Sequence, residues 1–224
     1  MEHLHHFDLT DDPFRNEPLL RFFFDTRQQQ QALRRMDRAV RQHKGLCVLV
    51  GDVGSGKTMA VRQLLENLEE EVFEASMMVV LNGAADSAWM MTRFAKQLGI
   101  EEPAPEREAL IAEIFERLTI IREDGRHAVL IIDDAEALAS PETLAEICGL
   151  LKLEYEDRRL LSLVLVGTPL LDEVLASASS SCGVPASTSD SRRRSSYSSF
   201  KIPQTSASVS GDASAWASSM IRTA

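Results

Sequence analysis

Residues 51–58 read Gly-Asp-Val-Gly-Ser-Gly-Lys-Thr, an octet of the form G-x-x-x-x-G-K-[ST], and the apolar run Leu46-Cys47-Val48-Leu49-Val50 leads straight into it. The types suit a nucleoside triphosphate. Several adjacent backbone N–H groups can converge on one anion only through tight turns with positive φ, which Gly54 and Gly56 adopt without a Cβ clash. A helix starting near Lys57 then directs its positive end at the same phosphates. Lys57 is expected to reach the β- and γ-phosphate oxygens, and the Thr58 hydroxyl to ligate the Mg²⁺ that bridges them. The candidate nucleotide-binding set is Gly51, Asp52, Val53, Gly54, Ser55, Gly56, Lys57, Thr58 and Met59.

A second group of polar residues follows another apolar run. Ala128-Val129-Leu130-Ile131-Ile132 ends in Asp133-Asp134-Ala135-Glu136, the strand-then-acid pattern of a Walker B motif. An acid at the tip of a buried parallel strand sits where ligands bind in α/β sheets. Asp133 is expected to hold Mg²⁺ through its water shell, and Asp134 to orient or deprotonate the attacking water. Helix capping is the structural alternative for both acids. Leu161–Val166 is followed by Gly167-Thr168-Pro169, which puts Thr168 at a third strand tip, with a γ-phosphate-sensing role or a plain turn role open to it.

Strands and helices alternate around these residues. Strands are predicted at 46–50, 76–81, 128–132 and 161–166, and the third is too continuously apolar to have a wet face, as expected of a buried parallel strand. Helices are predicted over about 27–42, with Leu33, Met36 and Val40 inward, and over 59–68. Further helices fall at 86–98 with Met91, Phe94, Ala95 and Leu98 inward, and at 107–122 with Ile111, Ile114, Leu118 and Ile121 inward. Ser140 and Pro141 open another, facing Leu144, Ile147, Cys148 and Leu151 inward. The pattern calls for a parallel sheet covered on both faces, the three-layer nucleotide-binding α/β fold.

The charge balance argues against a surface that wraps nucleic acid. The 224 residues carry a formal charge of −10, and residues 1–176 alone hold 19 basic and 32 acidic side chains. Arg34, Arg35, Arg38 and Arg41 share a predicted helix and read as a solvated face or a local basic patch. Three cysteines, Cys47, Cys148 and Cys182, suggest neither a disulfide framework nor a zinc site. His3, His5 and His6 are expected to be solvated. No apolar run reaches the roughly 18 residues of a membrane span, and the start is not a signal peptide, so a cytoplasmic protein is expected.

Taken together, Asp12-Pro13-Phe14, the 51–58 octet, Leu81-Asn82-Gly83, Ile131–Glu136 and Leu165-Val166-Gly167-Thr168-Pro169 resemble bacterial AAA+ ATPases of the type II secretion ExeA/GspA kind. The same module is similar to transposition-targeting ATPases. The resemblance covers about residues 7–176 and implies ATP and Mg²⁺ as cofactors, with nucleotide state driving assembly. The implied partners are further copies of the chain, an inner-membrane secretion protein, or DNA on which a filament forms. Such families usually carry glutamate where Asp134 stands, and glutamine or asparagine where Thr168 stands; the shorter Asp134 side chain would slow hydrolysis. A nucleotide-binding remnant without turnover is a further alternative. ATP is expected over GTP, since Asn-Lys-x-Asp does not occur.

The resemblance also implies a fifth strand bordering the first, catalytic arginines and a helical lid. From Ser177 onward 17 of 48 residues are serine, a composition that points to disorder rather than to those elements. The organisation expected is therefore a lead-in with a helix (1–45), an ATPase core (46–176) and a serine-rich tail (177–224), read as a frameshifted or mispredicted end or as an authentic linker. On that reading the outer edge of residues 46–50 is left unpaired, an aggregation hazard.

Overall fold

In the computed structural model of the chain, which describes residues 6–7, 12, 20, 26–80, 86–138, 140–182 and 197–202, Thr26 caps the first long helix. Its Oγ1 accepts the Gln29 backbone N–H at 3.2 Å, and Gln29 Oε1 accepts the Thr26 backbone N–H at 3.4 Å. This reciprocal capping box opens α1 (Arg27–Arg41), which satisfies two of the donors a helix start leaves free. Then come β1 (Leu46–Gly51), α2 (Lys57–Asn67), β2 (Phe73–Val79), α3 (Ser87–Gln97), α4 (Arg107–Glu123) and β3 (His127–Asp133). A 3-10 turn at Ala135–Ala137 precedes α5 (Pro141–Gly149), which Ser140 caps as predicted through the Thr143 N–H. The small hairpin β4 (Glu154–Tyr155) and β5 (Arg158–Arg159), β6 (Leu161–Gly167), α6 (Leu170–Cys182) and β7 (Tyr197–Ile202) complete the order.

Five strands form one parallel sheet in the order β2-β3-β6-β1-β7. The two faces of the sheet bury separate cores, because alternate residues of a strand point to opposite sides. On one face Cys47, Leu49, Val129, Ile131, Val164 and Val166 meet Met36 and Val40 of α1 and Val61 and Leu64 of α2. On the other, Val48, Val50, Leu130, Ile132 and Leu165 meet Phe94 of α3, Ile114 and Leu118 of α4, and Leu144 of α5. Strands β1, β3 and β6 are buried along their whole length, as their largely apolar sequences require. Ile114, Leu118 and Ile121 of α4 are buried as predicted; Ile111 is half-buried against the same core, and Leu110 beside it takes the fully buried place in the first turn. Cys47 behaves as a small hydrophobe, with burial pushing its thiol up to about 12.

The predicted loss of the fifth strand is corrected by β7. Tyr197–Ile202 pairs in parallel with β1 from Leu46↔Tyr197 to Gly51↔Ile202, so the outer edge of β1 is covered and the sheet's edges are β2 and β7. The physical reason lies in the partner. A central strand presents unpaired N–H and C=O groups on its free side, and a short segment with alternating Phe200 and Ile202 can satisfy them despite its serines. Helix α6 likewise runs past the expected boundary at residue 176. The remaining tail, the Arg192-Arg193-Arg194 run, Pro13-Phe14, the Phe22–Phe24 run and Leu81-Asn82-Gly83 lie outside the described residues. No helix among the described residues is long and apolar enough to cross a membrane.

A buried polar pair sits at the end of the sheet where β3 and β6 begin. His127, 2% exposed, places Nε2 2.9 Å from Ser162 Oγ, and its ring meets His43 edge-on at 4.0 Å between centroids. Burial first, then the nearby His43 and Arg122, push its pKa from 6.5 down to about 3. The folded state thus holds His127 neutral where the unfolded chain would protonate it. Stability from this group is full above pH 6.5 and falls as acid protonates the unfolded chain. Lowering the pH from 7 to 5 is expected to cost about 2 kcal/mol from this group, read as a fall in the urea midpoint that His127→Gln reduces.

Candidate nucleotide site

The octet at 51–58 forms the turn from β1 to α2. Gly54 and Gly56 take φ of 79° and 86°, the left-handed conformation that lets the loop curl back on itself. Val53 stands at the apex, 88% exposed, and Gly51 is buried at the strand end. The Ser55 N–H closes the turn onto the Asp52 carbonyl at 3.1 Å. Helix α2 opens at Lys57 with Gly56 as its N-cap, so the N–H groups of its first turn, Lys57, Thr58 and Met59 among them, have no partner within the helix. They face the loop as a concentrated set of donors.

Lys57 is 8% exposed and folds back onto the loop, donating from Nζ to the Asp52 carbonyl at 3.0 Å. A buried ammonium with one carbonyl partner retains two donors for an anion. Thr58 Oγ1 donates to Asp133 Oδ2 at 2.7 Å and ties the loop helix to the tip of β3. Asp133 is 1% exposed, and its Oδ1 accepts the Asp134 N–H at 3.1 Å. A hydroxyl and a buried carboxylate are hard oxygen donors that suit Mg²⁺.

The next residue, Asp134, turns left-handed at φ 54° and is exposed. Its carboxyl is held above the ordinary range by desolvation and by the charges of Asp133 and Glu136, with Lys57 pulling the other way. The structure thus brings Lys57, Thr58, Asp133 and Asp134 to one end of the sheet. Thr168 stands at the third strand tip, between them in sheet order, because β6 lies between β1 and β3. Its N–H donates to Glu136 Oε1 at 2.9 Å, and its hydroxyl is buried without a protein partner.

Glu136 received no role from the motif, and the structure gives it one. Its carboxylate packs against Gly167, where any Cβ would overlap Oε2 and approach Leu171 Cδ2 to 3.0 Å. The acidic turn after β3 is thereby fastened to the tip of β6. Gln29 is the other residue the motifs miss: its Nε2 would lie 2.6 Å from a Cβ placed on Gly56. Nothing in the octet points to a residue 27 positions upstream of Gly56.

Comparison with known proteins adds a family match and likenesses of sequence and fold. The family model described as "AAA domain" matches residues 40–175. General secretion pathway protein A of Aeromonas hydrophila is 25% identical over 170 residues, 75% of this chain and 30% of that protein. An ORC1-type DNA replication protein of Cenarchaeum symbiosum is 31% identical over 99 residues, 41% of this chain and 24% of that one. The chain therefore spans less than a third of the length of these relatives. Among solved structures, Cdc6p from Pyrobaculum aerophilum superposes with a TM-score of 0.54 at 21% identity, covering 84% of this chain and 48% of that one.

Gly167→Ala is expected to destabilise the fold by about 1–3 kcal/mol, because the new methyl meets Glu136 and Leu171 in a packed corner. Urea unfolding measures this, and Glu136→Ala in the same chain is expected to restore part of the loss.

Proposed function

The chain belongs to the AAA domain family, and on that premise we propose that it binds ATP with Mg²⁺ at the 51–58 loop and hydrolyses it. The observation that carries the reading is the 2.7 Å bond from Thr58 to a buried Asp133, beside a buried Lys57 that keeps donors to spare. A buried carboxylate held by a hydroxyl is costly to keep unless a cation or further donors use it, and Mg²⁺ is the cation that accompanies a triphosphate. Bound Mg²⁺ would neutralise charge that develops on the phosphoryl oxygens.

In this reading Lys57 and the first-turn N–H groups of α2 hold the phosphates, while Thr58 and Asp133 hold the metal. Asp134 orients the attacking water, its raised pKa favouring uptake of a proton from it, and Thr168 reports on the γ-phosphate from the tip of β6. The ATPase core is residues 46–176, with 197–202 adding its outer strand. The work done by the cycle is assembly of a secretion or envelope complex from the cytoplasmic side, through contacts with further copies of the chain or an inner-membrane protein. The likeness to general secretion pathway protein A supports this.

A second reading, ATP-dependent DNA binding, draws on the likeness to the ORC1-type DNA replication protein. Salt-dependent DNA binding that requires ATP would favour it over secretion.

Lys57→Ala is expected to weaken ATP binding at least about tenfold, the loss of a charge-assisted contact to phosphate. Equilibrium titration with a fluorescent ATP analogue, with and without Mg²⁺, measures it. Asp134→Asn is expected to keep binding and to lower phosphate release about a hundredfold or more, the scale of a lost general base. Equal phosphate release by wild type and the Lys57→Ala control would mean that the chain binds without turnover.

A further inference from the structure

Helix α1 lies outside the family's phosphate motif, yet it is pinned alongside the loop helix at its C-terminal end and packed against it along its length. Near its C-terminus the Arg41 guanidinium donates to the carbonyl of Asn67, the last residue of α2, at 3.1 Å and to Glu69 just beyond it at 2.9 and 3.2 Å. Between, Ala32, Met36 and Val40 pack with Ala60, Val61 and Leu64 in one core. The two helices therefore run side by side in the same direction, and the first turn of α1 is held at the height of the phosphate loop. Gln29 sits in that turn.

The capping box fixes which way the Gln29 carboxamide faces. The Thr26 backbone N–H can only donate, and it lies 3.4 Å from Oε1; the Thr26 hydroxyl lies 3.1 Å from the same oxygen. The oxygen must face Thr26, which turns the amide nitrogen the other way. That nitrogen rests over Gly56, close enough that a Cβ there would meet it at 2.6 Å. Gly56 is the last residue before Lys57, and the loop's own N–H groups converge on phosphate oxygens at this point.

Resting on the reading of the loop as a nucleotide site, we propose that Gln29 is a nucleotide-binding residue, its carboxamide N–H donating to an oxygen of the bound nucleotide beside Gly56. The donor is preorganised: its oxygen end is held by Thr26 and its helix by Arg41 and the core, so little rotamer freedom is lost when it is used. The acceptor is a phosphate or ribose oxygen, since an amide N–H serves either. The same contact links nucleotide occupancy to the start of α1.

Gln29→Glu separates this role from capping. Glutamate at this position keeps both bonds to Thr26 and is a preferred capping-box residue, so the nucleotide-free melting temperature is expected to hold or rise. It replaces the donor by a carboxylate, so affinity for a fluorescent ADP analogue is expected to fall at least tenfold. Gln29→Leu, which removes the donor without adding charge, is expected to weaken binding about threefold to tenfold. Pyrophosphate competition locates the acceptor: pyrophosphate weakened along with ADP places it on phosphate, and ADP weakened alone places it on the ribose. Binding of ADP to Gln29→Glu and Gln29→Leu within twofold of wild type overturns the proposal and leaves the loop reading intact. Wild type that fails to bind, or Lys57→Ala that binds as tightly as wild type, overturns both.

Discussion

A carboxylate that is 1% exposed must be satisfied by donors, and at Asp133 these come from two directions: the Thr58 hydroxyl and the Asp134 backbone N–H. The first joins residues 75 positions apart in sequence. It can form only if β1 and β3 stand at a fixed spacing, and the sheet sets that spacing by inserting β6 between them. Parallel pairing throughout puts all three strand tips at the same end, so loop, acid and Thr168 converge there and nowhere else. The cores on the two faces hold the spacing, since fully buried strands cannot slip by one residue without exchanging every inward side chain.

The carboxylates at this end divide their work by burial. Asp133 is enclosed and bonded twice; Asp134, one residue on, turns left-handed into the open; Glu136 folds back to take the Thr168 N–H. Three acids within four residues repel one another, and the pKa of Asp134 is raised by desolvation first and by that repulsion second. Lys57 offsets part of it. The geometry of the turn after β3, short and one-sided, is what keeps three negative charges close enough to act on one another.

Much of the fold was legible in the sequence. Strand periodicity placed β1, β3 and β6 to within a residue or two, and the inward faces of α3 and α5 follow the i, i+3, i+4 spacing, because burial on one side of a helix leaves that trace. Strand β2 begins three residues earlier than predicted, at Phe73, since pairing with His127 extends it beyond its apolar stretch. The hairpin of β4 and β5 went unread because its turn uses Glu156 and Asp157 at φ 50° and 58°, with no glycine to mark it. Strand β7 was hidden by composition. Serine-rich sequence carries little apolar drive of its own, and the segment's place in the sheet comes from the hydrogen-bonding edge that β1 offers it.

The sequence by itself determined the chemistry of the loop. Glycines where φ must be positive, a lysine and a threonine at a helix start, and acids after a buried strand are local requirements, written in consecutive residues. What only the tertiary structure decided are the contacts between segments that no spacing rule connects: Gln29 over Gly56, Glu136 against Gly167, and Tyr197–Ile202 along β1. Each depends on where two elements come to rest after both cores have packed. Residue type can make such a contact possible, but only packing brings its two halves within reach.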